Sequence, residues 1–290
     1  MRHAVAALLL LLPACSAPAP AQESRDLPPA LREVSGLAVA SPGSVFAHDD
    51  ERAIVHEIDL ASGRTLRRFP LGDPPARGDF EGIAADRGQV YLIASDGRLL
   101  AASLGRDGRR MPFEVHDTGA GADCEIEGLS LAPEPGNLLI LCKRVRGGGR
   151  EGRLRIYQWT IGARGPVGRP WRDIGLSEAL GDGRDGFAPS SIEWVPARRQ
   201  LVLVSARDRR LLVLDETGRI LGTRGLSAAR HPQPEGLAIT ASGALAVADE
   251  GQSGRPARLT IYPPDYLRQV LSSFEATSSA LPASSKKPAR

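Results

Sequence analysis

The hydrophobic residues of this chain fall in short runs broken by turn-forming residues, and five of the runs are introduced by the same kind of triplet. Ser35-Gly36-Leu37, Glu81-Gly82-Ile83, Glu127-Gly128-Leu129, Ser190-Ser191-Ile192 and Glu235-Gly236-Leu237 each set a Ser or Glu, a small residue and an aliphatic residue ahead of a strand-like segment. Successive triplets lie 46, 46, 63 and 45 residues apart, so three intervals agree within one residue and one carries an insertion. A period in the mid-forties, filled with short alternating strands and tight turns, is the length of a four-stranded propeller blade. The expected fold is therefore all-β: a single β-propeller of five four-stranded blades, with six as the alternative.

The pattern within a unit supports this. In the third unit Leu129, Leu131 and Ala132 end at the turn Glu134-Pro135-Gly136-Asn137, and Leu138 to Cys142 follows as a continuous apolar run suited to a strand buried on both faces. The fifth unit is one strand short. Leu237 to Ile239, Leu245 to Ala248 and Leu259 to Ile261 are visible before Pro263-Pro264 stops the pattern. The stretch around Ala30 to Val34 is the expected donor of the missing strand, closing the ring and removing an exposed edge. Residues 30–263 then form the propeller. Asp265 to Phe274 suits a short amphipathic helix, and the polar Thr277 to Arg290 a disordered tail.

The amino terminus changes the picture of where the protein resides. Arg2 and His3 precede the apolar stretch Ala4 to Leu12, which reads as a secretory signal and is too short to cross a bilayer. Leu12-Pro13-Ala14-Cys15 resembles a bacterial lipobox, making 1–14 the signal, Cys15 the lipidated residue and the remainder of 15–29 a flexible tether. A conventional signal cleaved between Ala19 and Gln22 is the alternative. Ser16 after the cysteine is the Gram-negative pattern for an outer-membrane lipoprotein facing the periplasm, touching the membrane through its lipid alone. In an exported chain the remaining cysteines, Cys124 and Cys142, suit either a disulfide or two buried thiols, since a strict hairpin register would not set them opposite each other.

Charge and aromatic content narrow the partners. With 37 basic and 34 acidic residues the chain carries a net charge of only +3, which gives no reason to expect nucleic acid. Aromatic residues make up 4%, too few for a surface that stacks bases or sugars. A small ligand or an envelope protein is the expected partner, and the chain is expected to be a monomer.

Taken in order, Glu33-Val34-Ser35-Gly36-Leu37, Asp79-Phe80-Glu81-Gly82-Ile83, Glu125-Ile126-Glu127-Gly128-Leu129 and Pro234-Glu235-Gly236-Leu237 with Ala248-Asp249-Glu250 resemble the SdiA-regulated-domain family of exported bacterial β-propellers. That family is related in pattern to NHL-repeat proteins and phytase-esterase-like propellers. The resemblance implies a fold and an envelope location; it implies no defined reaction.

Candidate chemistry follows from blade geometry. The start of a blade's innermost strand and the end of its second strand lie side by side at one end of the central channel. The second positions hold His48-Asp49-Asp50, Ser95-Asp96, Cys142-Lys143, Ser205 with Arg207 and Asp208, and Asp249-Glu250. Together with the triplet acids they crowd carboxylates at the channel mouth, and like charges so placed repel unless a cation offsets them. Asp49, Glu81, Glu127, Glu235 and Asp249 are the candidate ligands of a calcium ion, and Lys143, Arg207 and Glu250 candidate contacts to a bound ligand. His48 and His231 are the candidate acid and base of a calcium-dependent hydrolase of the lactonase or phosphoesterase type. The structural alternative is that each triplet Glu merely accepts hydrogen bonds from a neighbouring blade. His56 and His116 sit in strands and read as structural. The basic hairpin Lys143 to Arg150 and the loop around Gly181-Asp182-Gly183 are the insertion; the loop resembles a calcium loop in composition but lacks the closing Glu. A serine-hydrolase elbow and paired zinc spacing are both absent from the sequence.

Overall fold

The computed structural model describes residues 22–146, 152–176 and 187–270. The leader, Cys15, most of the tether, the Gly-rich tip of the basic hairpin, the Gly181 loop and the tail from 271 lie outside the described residues.

Five antiparallel four-stranded sheets form the blades of a β-propeller. Blade 1 is β2 (Val34–Ser41), β3 (Ser44–Asp49), β4 (Ile54–Asp59) and β5 (Thr65–Pro70); blade 2 is β6 (Phe80–Asp86), β7 (Gln89–Ala94), β8 (Arg98–Ser103) and β9 (Phe113–Asp117). Blade 3 is β10 (Cys124–Leu131), β11 (Asn137–Val145), β12 (Arg153–Thr160) and β13 (Arg172–Gly175); blade 4 is β14 (Ser191–Val195), β15 (Gln200–Ser205), β16 (Arg210–Asp215) and β17 (Ile220–Gly225). Blade 5 takes β18 (Pro234–Ile239), β19 (Leu245–Asp249) and β20 (Arg258–Tyr262), and its outer strand is β1 (Glu23–Asp26).

The ring thus has five blades, and the amino-terminal segment closes it, but with a different stretch from the one expected. β1 pairs with β20 from Glu23↔Ile261 to Asp26↔Arg258. The segment around Ala30 to Val34 instead makes a short 3-10 turn at Pro29–Leu31 and then enters β2, the innermost strand of blade 1. Pro28 and Pro29 have no N–H to give a ladder, which excludes them from a paired strand. Leu31 and Leu27 are instead buried beside Val34, Leu37 and Leu259, sealing the joint between first and last blades.

The core lies between blades. Phe46, Phe69, Phe80, Ile83 and Leu92 fill the space between blades 1 and 2, and equivalent aliphatic clusters separate the others. The helix over 265–270 buries Tyr266, Leu267 and Val270 against Val213 and Val247, covering one flank of blades 4 and 5. The triplet glycine has a physical reason here: a Cβ on Gly82 would lie 2.5 Å from the backbone N of Leu129, so blades 2 and 3 approach too closely for any side chain.

The register of the inner strands contains the feature that builds the site. Glu81 falls between the pairs Phe80↔Ala94 and Gly82↔Ile93 and has no partner of its own. Glu127, between Ile126↔Cys142 and Gly128↔Leu141, is in the same position, as are Ser35 and Glu235. Each is the extra residue of a β-bulge, which re-aims its side chain away from the blade faces. Blade 3 has a second slip on the facing strand, where pairing steps from Glu125↔Arg144 to Ile126↔Cys142 and leaves Lys143 unpaired. These slips are why Cys124 and Cys142, not opposite in a strict hairpin, come within a Cα–Cα distance of 5.6 Å and are joined as a disulfide.

Candidate binding site at the channel mouth

Six carboxylates, from Glu33, Asp50, Glu81, Glu127, Glu235 and Glu250, line a cavity of about 150 Å³ together with Val34, Ser35 and the ammonium of Lys143. The three triplet acids arrive from blades 2, 3 and 5 by their bulges. Asp50 and Glu250 follow directly on β3 and β19. Lys143 comes from the second bulge of blade 3 and contacts Glu127 directly. Ser35 Oγ donates to Glu81 Oε2 at 3.0 Å, tying blade 1 to blade 2, while Ser190 Oγ donates to the Pro234 carbonyl at 2.7 Å, tying blade 4 to blade 5. The two Ser members of the repeat are therefore inter-blade hydrogen-bond donors, and the Glu members face the cavity.

One ammonium does not offset this density of acid. Burial, with the neighbouring charges of Glu127 and Asp79, pushes the Glu81 carboxyl up to about 8. Burial raises Glu127 to about 7 against the opposing pull of Lys143, and raises Glu235 to about 7 against its hydrogen bond from Gln233. Asp50 is raised to about 6 by burial and by Glu33 and Asp49, and one of its oxygens finds no hydrogen-bond partner among the described residues. Glu250 is raised by burial and by Asp50 and Glu33. For Lys143, burial acts to lower its pKa, but the contact with Glu127 and the charges of Glu235 and Glu81 outweigh it and hold it above the usual value. The mouth is a site short of positive charge.

Of the residues read from the sequence as site members, Glu81, Glu127, Glu235, Lys143 and Glu250 meet in the cavity; Asp49, Asp249, His48, His231 and Arg207 do not line it. Asp49 closes a turn, accepting the Glu51 and Arg52 N–H groups at 3.1 and 2.8 Å. His48 is fully buried, its Nδ1 on the Asp49 carbonyl and its Nε2 over Gly36 without a hydrogen-bond partner among the described residues, and burial lowers its pKa to about 4. His231 is likewise fully buried. Its Nδ1 is hydrogen-bonded to Asp249 Oδ2 at 2.7 Å, where the carboxylate accepts, and its Nε2 to the Tyr262 hydroxyl at 2.5 Å, so both ring nitrogens are engaged within the interior. Arg207 is largely exposed and pairs with Asp208 at 3.3 Å.

Glu33 is a member of the mouth that the sequence reading passed over, and Asp50 is one that it set at the mouth without counting it among the candidate ligands. Asp50 was within sight, since β3 and β19 end alike: Asp49 pairs with Val34 and Asp249 with Pro234, and in both strands the next residue turns to the cavity. Gln233 is a further support. Its backbone N–H donates to Asp249 Oδ1 at 3.2 Å while its side-chain amide reaches Glu235 at 3.4 Å and contacts Glu250, linking the buried histidine cluster to the rim.

No protein-family model matches this chain, and no curated protein does. Solved structures match along most of its length. The glutaminyl cyclase of Myxococcus xanthus superposes with a TM-score of 0.53 at 16% identity, over 82% of this chain and 93% of that one. A luciferin-regenerating enzyme gives 0.50 at 9% identity, over 83% and 95%. The pyrroloquinoline-quinone-bound aldose sugar dehydrogenase of Streptomyces coelicolor gives 0.49 at 13% identity, over 85% and 99%. At such identities the likeness is one of fold: the chain is a β-propeller.

Proposed function

We propose that this chain is an exported, lipid-anchored propeller of the SdiA-regulated type that binds a small, positively charged ligand at its channel mouth. One observation carries the binding reading: six carboxylates converge on a cavity holding a single ammonium, and burial with neighbouring acids raises the proton affinity of Asp50, Glu81, Glu127, Glu235 and Glu250. A cation that enters gains from every one of them, and an anion from none but Lys143. The lipobox-like Leu12 to Cys15 and the order of the Glu-Gly-aliphatic triplets support the envelope location and the family.

A resident calcium ion fits this donor set poorly. Among the described residues no three His, Cys, Asp or Glu side chains are grouped as a metal would need, and Lys143 already stands among the triplet acids. The second reading, a hydrolase of the lactonase or phosphoesterase type, draws on Glu81, whose carboxyl keeps its proton near neutral pH and so suits a general acid.

Calorimetric titration of the mature protein with 1,4-diaminobutane and with calcium, followed by lactone and phosphomonoester turnover with and without chelator, separates the two. The binding reading expects saturable diamine binding that Glu250→Gln weakens, and no turnover. Turnover lost on adding chelator favours the hydrolase, and absence of any cation binding overturns the first reading.

A further inference from the structure

The second bulge of blade 3 has no counterpart in the β2/β3, β6/β7 or β18/β19 pairs, whose bulges that reach the mouth lie on the inner strand alone. It costs one ladder residue, and its result is a single lysine delivered into the acid cluster. The adjoining Cys142 is tied to Cys124, three residues before Glu127, so the two unpaired residues of the blade are held facing one another. We propose that Lys143 is the specificity-determining residue of the mouth: a tethered cation that fills the space among Glu81, Glu127 and Glu235 and so keeps divalent metal out of that half of the ring.

The physical case rests on geometry and charge. Glu81, Glu127 and Glu235 come from three different blades, and each acts on Lys143, Glu127 by direct contact and the other two through their charge. The three carboxylates and Lys143 line one cavity; with the ammonium among them no three acidic side chains of the described residues are grouped as a metal would need, although their oxygens are of the kind calcium takes. A tethered ammonium supplies one positive charge with no loss of translational freedom on binding, so a free ion must displace it before gaining those oxygens. Among the described residues Glu33, Asp50 and Glu250 have no comparable lysine, Arg32 acting on Glu250 through its charge alone, and they are left to the incoming ligand. This inference rests on reading the mouth as a site for positive charge, and the experiment below separates the failure of one from the failure of the other.

The test is calcium titration, by calorimetry at neutral pH, of wild type, Lys143→Met, Lys143→Arg and the double variant Lys143→Met with Glu127→Gln. Lys143→Met is expected to bind calcium at least about tenfold tighter than wild type or to take up one more equivalent, which is about 1.4 kcal/mol or more of binding free energy. Lys143→Arg should behave as wild type, and the double variant should lose the gain. A folded Lys143→Met with wild-type affinity and stoichiometry overturns the inference, even where wild type binds diamine well. Calcium uptake by Lys143→Met alone, with no diamine binding by wild type, upholds it and sinks the ligand proposal. Should Lys143→Met fail to fold, acylation of Lys143 in the wild-type protein, followed by mass spectrometry, decides: the rate should rise as millimolar calcium displaces the ammonium, and a rate unchanged by calcium overturns the inference.

Discussion

Two sets of acidic side chains at the same end of the propeller have opposite fates. Asp249 is 2% exposed and every oxygen it has is taken, by His231 and by the Gln233 backbone, with Tyr262 closing the chain behind His231. Glu250, the next residue, opens into the cavity with Asp50, Glu81, Glu127 and Glu235, where acceptors outnumber donors. Like charge and nearly equal position therefore say little about role. What separates scaffold from site is whether the surrounding donors balance the acid, because a buried acceptor that is fully paired holds structure and one that is not invites a partner.

Removing a member of the balanced set should hurt most. Asp249→Ala leaves His231 without its acceptor in a sealed interior and is expected to cost about 3 to 5 kcal/mol in chemical denaturation. A loss below about 1 kcal/mol would mean that the cluster does not hold blade 5. Replacing both Cys124 and Cys142 by Ser should cost about 2 to 4 kcal/mol, measured the same way. It should also weaken diamine binding, because the disulfide holds the Glu127 and Lys143 bulges together.

The unbalanced set should answer differently. Glu81→Gln keeps an oxygen for the Ser35 hydroxyl and removes a charge that burial and Glu127 oppose. Its stability should stay within about 1 kcal/mol of wild type, on the stabilising side above neutral pH, while diamine affinity falls. The same excess of acid should show in the pH dependence of stability. Glu81, Glu127 and Glu235 have folded pKa values of about 8, 7 and 7, above the unfolded carboxylate value, so the folded protein binds more protons than the unfolded one in that window. Stability should therefore fall as pH rises from about 6.5 to about 8. Below about pH 6.5 the trend is opposed by His48 and His56, each lowered to about 4 by burial, because there the unfolded state takes up the extra proton. A thermal midpoint that climbs between pH 6.5 and 8 would contradict the account.

The repeat could be read from the chain because Gly82 and Gly236 are demanded by the close approach of the neighbouring inner strand, where a Cβ would lie 2.5 Å from the Leu129 N and 2.8 Å from the Leu37 Cγ, and a demanded glycine keeps its spacing. Closure by β1 could not, since Glu23 to Asp26 is an outer strand with mostly exposed side chains and leaves no apolar trace. The site was half legible. The sequence sets Asp49 and Asp50, and Asp249 and Glu250, together at the mouth and does not say which of each pair faces it; the pairing of Asp49 with Val34 and Asp249 with Pro234 sends the following residue inward. For His231, position along the repeat points to the mouth, and only tertiary contacts reveal that Asp249 and Tyr262 engage both its nitrogens.

The claim that the mouth is short of positive charge can be measured directly by following the side-chain carboxyl 13C resonances of Glu81, Glu127 and Glu235 through a pH titration by NMR. The account predicts midpoints near 8, 7 and 7 in the free protein and a downward shift of all three when diamine is present. Midpoints near the ordinary carboxylate value in the free protein, unmoved by diamine, would contradict it.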